Sequence, residues 1–397
     1  MKHSRREYGR LYDLLTFITP GQQVAATAER AELLGWLREH ARFGYGDTKV
    51  DCTGLSPGCR CCGDGSWSCL FITGRCNGRC FYCPTPQDDD GPPSTNGLAF
   101  ASPEEYAAYV ATLGFRGVSI SGGEPLMTPD LTLAYLRAVR KRCGDDLHLW
   151  LYTNGTLLTA DLCQRLRDAG LNEIRFDLGA VRYHLKKLRL AVGVIPTVTV
   201  EIPAVPEDEE LLKLKLVEMA EAGVKHLNLH QMRLTPHNFG PLLERGYTFL
   251  HGEKVTVLES ELCALRIVRF GLEQGIPLPV NYCSFPYKRR FQHAAARRRA
   301  ALKLCGSGEI VTEPGYVRTL ATGGVSYSDA AILQNPSYRF PFEKIVLETG
   351  RPLYLERRPL TPLVELSAVE QDELEAGQPP ERIARFERIE TGLADYF

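Results

Sequence analysis

From residue 70 onward the chain repeats one pattern, a short apolar or β-branched run followed by a longer stretch with helical periodicity. The candidate strands are LFIT (70–73), GVSIS (117–121), HLWLY (148–152), EIRFD (173–177), VTVEI (198–202) and HLNLH (226–230). Helical patterns start near Ser102, Asp130, Ala160, Glu207 and Leu258; AVRYHLKKLRLAVG, after the fourth strand, carries a weaker one. Ser102 ahead of Pro103 reads as an N-cap with proline in the first turn, and Gly170, Gly223 and Gly275 read as helix stops. Parallel strands joined by helices cross over right-handedly, so six such units curl into most of a barrel without closing it. The expected fold class is α/β, a partial (β/α)6 TIM-like barrel over residues 70–283, with its chemistry at the strands' C-terminal ends. PLPVNY, ending at Tyr282, is a candidate seventh strand. Residues 1–69 read as a helical leader with a cysteine-rich N-terminal extension. Residues 284–397 read as a C-terminal α+β extension: a basic helix, strand-like segments such as KIVLETGRPLYLERRPL, and a charged terminal helix.

Cysteine is distributed unevenly. Eight of the 13 cysteines (Cys52, Cys59, Cys61, Cys62, Cys69, Cys76, Cys80, Cys83) fall between residues 52 and 83. A disulfide scaffold suits a short secreted chain, whereas this one has 397 residues and charges scattered through its first fifteen. Dense cysteines in such a chain point to metal binding in a cytoplasmic protein. CNGRCFYCP (76–84) sets three of them in the loop after the first strand, on the face where a barrel does its chemistry. A 4Fe-4S cluster normally takes four thiolates, one per iron. Three protein thiolates would leave one iron open to a small molecule; a zinc knuckle or a reactive-thiol loop is the competing reading of the spacing alone.

The spacing CxxxCxxC after a strand, with Phe81 and Tyr82 ahead of the last cysteine, resembles the radical S-adenosylmethionine (SAM) superfamily. Further segments resemble the family in the same order along the chain. Gly122, Gly123, Glu124 and Pro125 end the second strand as a GGEP segment, and LYTNG, with Asn154, ends the third. Asp177 ends the fourth, Glu201 the fifth and His230 the sixth. The wording looks most like the branch containing pyruvate formate-lyase activating enzyme and the molybdenum-cofactor and peptide-modifying (SPASM-like) relatives. The resemblance implies that Cys76, Cys80 and Cys83 bind a 4Fe-4S cluster whose fourth iron is chelated by SAM. It implies reductive cleavage of SAM to a 5′-deoxyadenosyl radical that abstracts hydrogen from a peptide or small-molecule substrate, with a glycyl-radical-enzyme activase as the alternative; a non-catalytic iron-sulfur or zinc protein for electron transfer or binding is the rival of another class. A one-electron reductant such as flavodoxin or ferredoxin is the implied protein partner. Tyr82, Gly122, Gly123, Glu124, Pro125, Asn154, Asp177, Glu201 and His230 are the expected contacts to the cofactor or substrate. The glycines would let backbone approach the ligand, and Glu124 would accept from the methionine ammonium.

CRCCGDGSWSC (59–69) is a second candidate metal site: Cys59 and Cys62 at C-x-x-C spacing and Cys69 seven residues on, for an auxiliary Fe-S cluster or zinc. Cys283 is the expected fourth ligand, with Cys305, Cys52 and Cys61 as other choices. Cys143, Cys163 and Cys263 fall in helical patterns and read as apolar fillers. The basic run 287–303 reads as a solvated helix, with an anion-binding face as its rival. A net charge of −1 gives no general attraction to nucleic acid or membranes, and no run of about 18 apolar residues offers a membrane span. The sequence also lacks a D-x-H-x-x-G cobalamin pattern, a Walker A loop, a dinucleotide glycine fingerprint and H-E-x-x-H.

Overall fold

The computed structural model describes residue 5, residues 7–304 apart from 96, 97 and 253, and four short strands beyond them. Its centre is one sheet. Strands β2 (Trp67–Arg75), β3 (Gly117–Gly122), β4 (His148–Thr153), β5 (Glu173–Phe176), β6 (Thr197–Pro203), β7 (His226–His230) and β8 (Val280–Cys283) run parallel in that spatial order. The last of these is the expected seventh strand, so the repeat is one strand longer than six. β1 (Lys49–Val50), from the N-terminal extension, pairs antiparallel with β8 and closes that edge; the short strand Ser94–Thr95 does the same beside β2. No pairing joins β2 to β8 among the described residues, and the barrel stays open between them.

The helices lie outside. α1 (Pro20–His40), α3 (Pro103–Leu113), α4 (Pro129–Cys143), α5 (Ala160–Asp168), α6 (Glu209–Glu221) and α7 (Leu258–Glu273) cover the sheet's outer face. Ser102 caps α3 through a bond from the Glu105 amide, and Gly114 ends it at φ +63°. The connection after β5 is not an α-helix. It makes two 3-10 turns, Gly179–Val181 and Leu188–Leu190, in keeping with its weak periodicity. Strand alternation divides the side chains between the two faces. Leu70, Ile72, Val118, Ile120, Leu149, Leu151, Ile174, Phe176, Val198 and Val200 enter the core with the helices. Cys163 and Cys263 join them fully buried and Cys143 packs half-buried against them, as fillers.

The N-terminal extension is part of this fold. A short helix, α2 (Pro57–Gly63), capped by Ser56, docks under the sheet: the Gly58 amide donates to Glu173, and Arg175 Nη2 donates to Ser56 Oγ at 3.0 Å. The basic run divides in two. Its first turn, Tyr287–Gln292, is a π-helix whose Tyr287, Lys288 and Gln292 line the barrel interior, and α8 (His293–Leu304) follows outside it. The reading of a wholly solvated helix is therefore corrected for its first turn. Phe342–Val346 and Pro352–Glu356 pair as a hairpin. Cys305 and the charged terminal segment lie outside the described residues. No helix among the described residues is long and apolar enough to cross a membrane.

Candidate active site

β2 delivers the chain into the loop 76–83, which closes on itself through Cys83 N–H to Cys80 C=O at 3.0 Å and is tied back by Cys76 N–H to Gln87 C=O. The Gly78 amide donates to Cys76 Sγ at 3.3 Å. Asn154, at the tip of β4, donates to Asn77 Oδ1 at 2.8 Å and accepts from the Thr156 amide and hydroxyl. Its side chain holds the loop in place, and the residue also lines the cavity.

The GGEP segment also braces the root of the loop. A Cβ on Gly122 would sit 2.2 Å from the Thr73 carbonyl oxygen, and one on Gly123 would sit 2.1 Å from that of Arg75. Both glycines are required because the β3 tip crosses β2 backbone at the root of the cysteine loop, where the Gly123 and Glu124 amides donate to Thr73 and Arg75. Gly122, at φ +121°, also needs the freedom that only glycine has. Glu124 is fully buried and takes three local donors: the Leu126 amide and Thr153 hydroxyl on Oε1, and the Asn154 amide on Oε2 at 2.7 Å. It clamps β3 to β4, while Pro125 opens the 3-10 turn behind it. Replacing Glu124 with Gln should turn an NH2 against one of these donors and cost about 1–3 kcal/mol. Chemical denaturation of the apoprotein measures this, and an unchanged midpoint would show that the clamp is unimportant.

Tyr82 and Asp177 are hydrogen-bonded to each other. The Tyr82 hydroxyl donates to both Asp177 oxygens, at 2.9 and 3.1 Å, and Asp177 also accepts from the Ala180 amide. Burial pushes the Asp177 carboxyl up to about 6 against these bonds. Across the interior, Glu201 accepts from His230 Nε2 at 2.6 Å, from Asn228 Nδ2 at 2.9 Å and from Arg175. Burial raises the Glu201 pKa, but Arg175 and His230 outweigh it and hold the carboxyl well below its usual range. Burial and the cations Lys288 and Lys49 push His230 down to about 4. His230 is therefore neutral near pH 7, and its bond to a carboxylate puts the proton on Nε2. Nδ1 is then a bare acceptor, buried without a partner among the described residues, on the wall of the cavity.

That cavity, about 560 Å3, runs from the cysteine loop to α2 and holds seven thiols on its lining: Cys59, Cys62, Cys69, Cys76, Cys80, Cys83 and Cys283. Cys61 and Cys52 are outside it. A Cβ on Gly117 would meet Cys61 Sγ at 3.1 Å, on the far side of α2 against Trp150, and Cys52 Sγ packs beside Gly44. Among the described residues no three His, Cys, Asp or Glu side chains group closely enough to hold a single metal ion. Around a four-iron cube the thiolates stand apart, one per iron. Sequence reading missed Arg175, Lys49, Asn228, Asn281 and Tyr287. Arg175 was accessible in principle, since Glu173, Arg175 and Asp177 alternate along one strand and share its inner face.

Residues 70–192 match the family model for the radical SAM superfamily. That stretch is a radical SAM domain. Among relatives of this radical SAM enzyme, a protein of Methanocaldococcus jannaschii provisionally named a glycyl-radical enzyme activating enzyme is 29% identical over 66% of this chain and 72% of its own. The GTP 3′,8-cyclase of Desulforamulus reducens is 33% identical, over 28% of this chain and 34% of the cyclase. The crystal structure of Streptococcus suis SuiB bound to SAM covers 53% of this chain and 49% of its own at 11% identity, with a TM-score of 0.39. A radical SAM enzyme uses SAM as co-substrate, and a 4Fe-4S cluster is expected of the family.

Proposed function

We propose that Cys76, Cys80 and Cys83 hold the 4Fe-4S cluster of this enzyme and leave one iron for SAM, and that hydrogen is abstracted from a peptide or small molecule bound in the cavity. The observation that carries this reading is the three-thiol loop opening onto a 560 Å3 cavity lined by polar side chains of β5, β6 and β7. The donor set fits the group: three soft thiols, with an amide already aimed at one sulfur. When bound, the cluster supplies one electron to the sulfonium of SAM, which separates into methionine and the 5′-deoxyadenosyl radical.

The chain's own residues do the positioning. Asn154 and Glu124 fix one flank of the loop; Tyr82, held by Asp177, fixes the other. The Nδ1 acceptor of His230 is offered to a hydroxyl or N–H of the substrate, oriented by Glu201. Flavodoxin or ferredoxin is the proposed electron donor. A further iron-sulfur group is the apt occupant of the other four cavity thiols. The second reading, activation of a glycyl-radical enzyme, is favoured by the match to the Methanocaldococcus protein along most of both chains.

The test is to incubate anaerobically reconstituted protein with dithionite and SAM and to follow 5′-deoxyadenosine by mass spectrometry. Formation of the nucleoside is expected; its absence from protein holding a reducible cluster would refute the reading.

A further inference from the structure

The four thiols not used by the SAM loop come from opposite sides of the opening in the barrel. Cys69 is on the inner face of β2, one margin of the parallel strands, and Cys283 is on β8, the other. Cys59 and Cys62 stand three residues apart on α2, so both share one helix face, while Cys61 packs against Trp150. All four line the same cavity.

A buried polar chain links the two sides. Asn228 Nδ2 donates to Cys59 Sγ at 3.2 Å, its Oδ1 accepts from Asn281 Nδ2, and Asn281 Oδ1 accepts from Lys49 Nζ at 2.7 Å. Lys49 also donates to Cys283 Sγ. Asn228, Asn281 and Lys49 are each 1% exposed. Donors therefore already face Cys59 and Cys283, as outer partners of metal-bound sulfur do.

Two further facts point to an occupant. The Tyr287 hydroxyl is buried with no hydrogen-bond partner among the described residues, in a residue 2% exposed on the wall of this cavity. The charges are also unbalanced. Arg175 is matched by Glu173 and Glu201, but among the described residues Lys49 has no carboxylate partner and the Lys288 ammonium has no hydrogen-bond partner, though both are within electrostatic reach of Cys283 and Lys288 also of Glu201. Two cations left over in a buried site call for an anion. A four-iron core of charge 2+ held by four thiolates is a dianion.

We infer that Cys59, Cys62, Cys69 and Cys283 hold a second 4Fe-4S cluster that spans the open margins of the barrel beneath the SAM loop. With a thiolate on every iron, this cluster has no open position for substrate and serves to pass electrons. Lys49 and Lys288 offset its charge, and Asn228, Lys49 and Tyr287 donate to its sulfurs. The assignment deepens the radical SAM reading but rests on a separate set of residues.

The test compares iron content and EPR spectra of reduced, reconstituted protein with and without SAM. Wild type is expected to hold about eight irons, and the Cys62→Ser/Cys283→Ser variant about four, in a cluster whose spectrum shifts on adding SAM. The Cys76→Ala/Cys80→Ala/Cys83→Ala variant is expected to keep about four irons with a spectrum indifferent to SAM. Should the double variant fold poorly, Cys69→Ser is the substitute. About eight irons in a floor variant, about four in wild type, or one zinc ion beside four irons would overturn the second cluster. If the triple variant keeps its SAM-responsive spectrum while the floor variant loses half its iron, the SAM-loop assignment fails and the floor assignment stands.

Discussion

A Cys80→Ala variant, reconstituted anaerobically and given dithionite and SAM, is expected to form 5′-deoxyadenosine only at the background level of a reaction without enzyme. The loop has three thiolates to offer, and losing one leaves two irons without protein ligands. The loss should exceed the roughly 10–100-fold that removal of a partner outside the ligand shell costs a metal site. Compensation from nearby is poor, because the neighbouring polar groups are already engaged: Tyr82 with Asp177, Asn154 with Asn77 and Thr156. Mass spectrometry of the quenched reaction decides it. Nucleoside at a tenth or more of the wild-type amount would mean that Cys80 is not a ligand.

Replacing Arg175 with Ala should unfold the protein at a lower temperature. Its guanidinium, 1% exposed, joins Glu173 on its own strand, Glu201 on β6 and Ser56 at the start of α2. Removing one member of a buried ionic group costs about 3–5 kcal/mol because the partners stay behind as uncompensated charges. At about 1.2 °C per kcal/mol for a chain of 397 residues, the melting temperature of the apoprotein should fall by roughly 4–6 °C.

The pH dependence gives a second readout. Burial raises the Glu173 pKa, but Arg175, with His148, holds it at about 2, against an ordinary 4.5. A depressed folded-state pKa adds stability that is present above the unfolded value and lost as pH falls through the folded one. The deficit of the variant should therefore be full above about pH 4.5 and should close as the pH approaches 2. Differential scanning calorimetry over this range tests both points, and a shift under about 2 °C at neutral pH would show the network to be dispensable.

Several positions show where sequence reading works and where it stops. Strands with period-two burial and helices with caps at Ser102 and stops at Gly170, Gly223 and Gly275 are local properties, and they appear where the residues indicate. The cysteine loop was legible because its three thiols are close in sequence and follow a strand. Glu124 and the two glycines before it could be found, but their role could not. What a carboxylate accepts depends on which amides the next strand brings within reach, and here β4 brings those of its own tip. Lys49 sits in a stretch with no motif; it matters because β1 pairs with a strand more than two hundred residues away.

The sequence by itself determined the repeating βα units, the order of polar strand ends and the spacing of the first three thiols, since each depends on neighbours within one turn or one strand. The tertiary structure decided that four other thiols, from residues 59 to 283, line one cavity with the first three. It also decided which carboxylates are already satisfied and which buried lysines have no carboxylate partner among the described residues. Those are properties of closed distances and of charge left over after pairing, and they come into being only when the chain has folded.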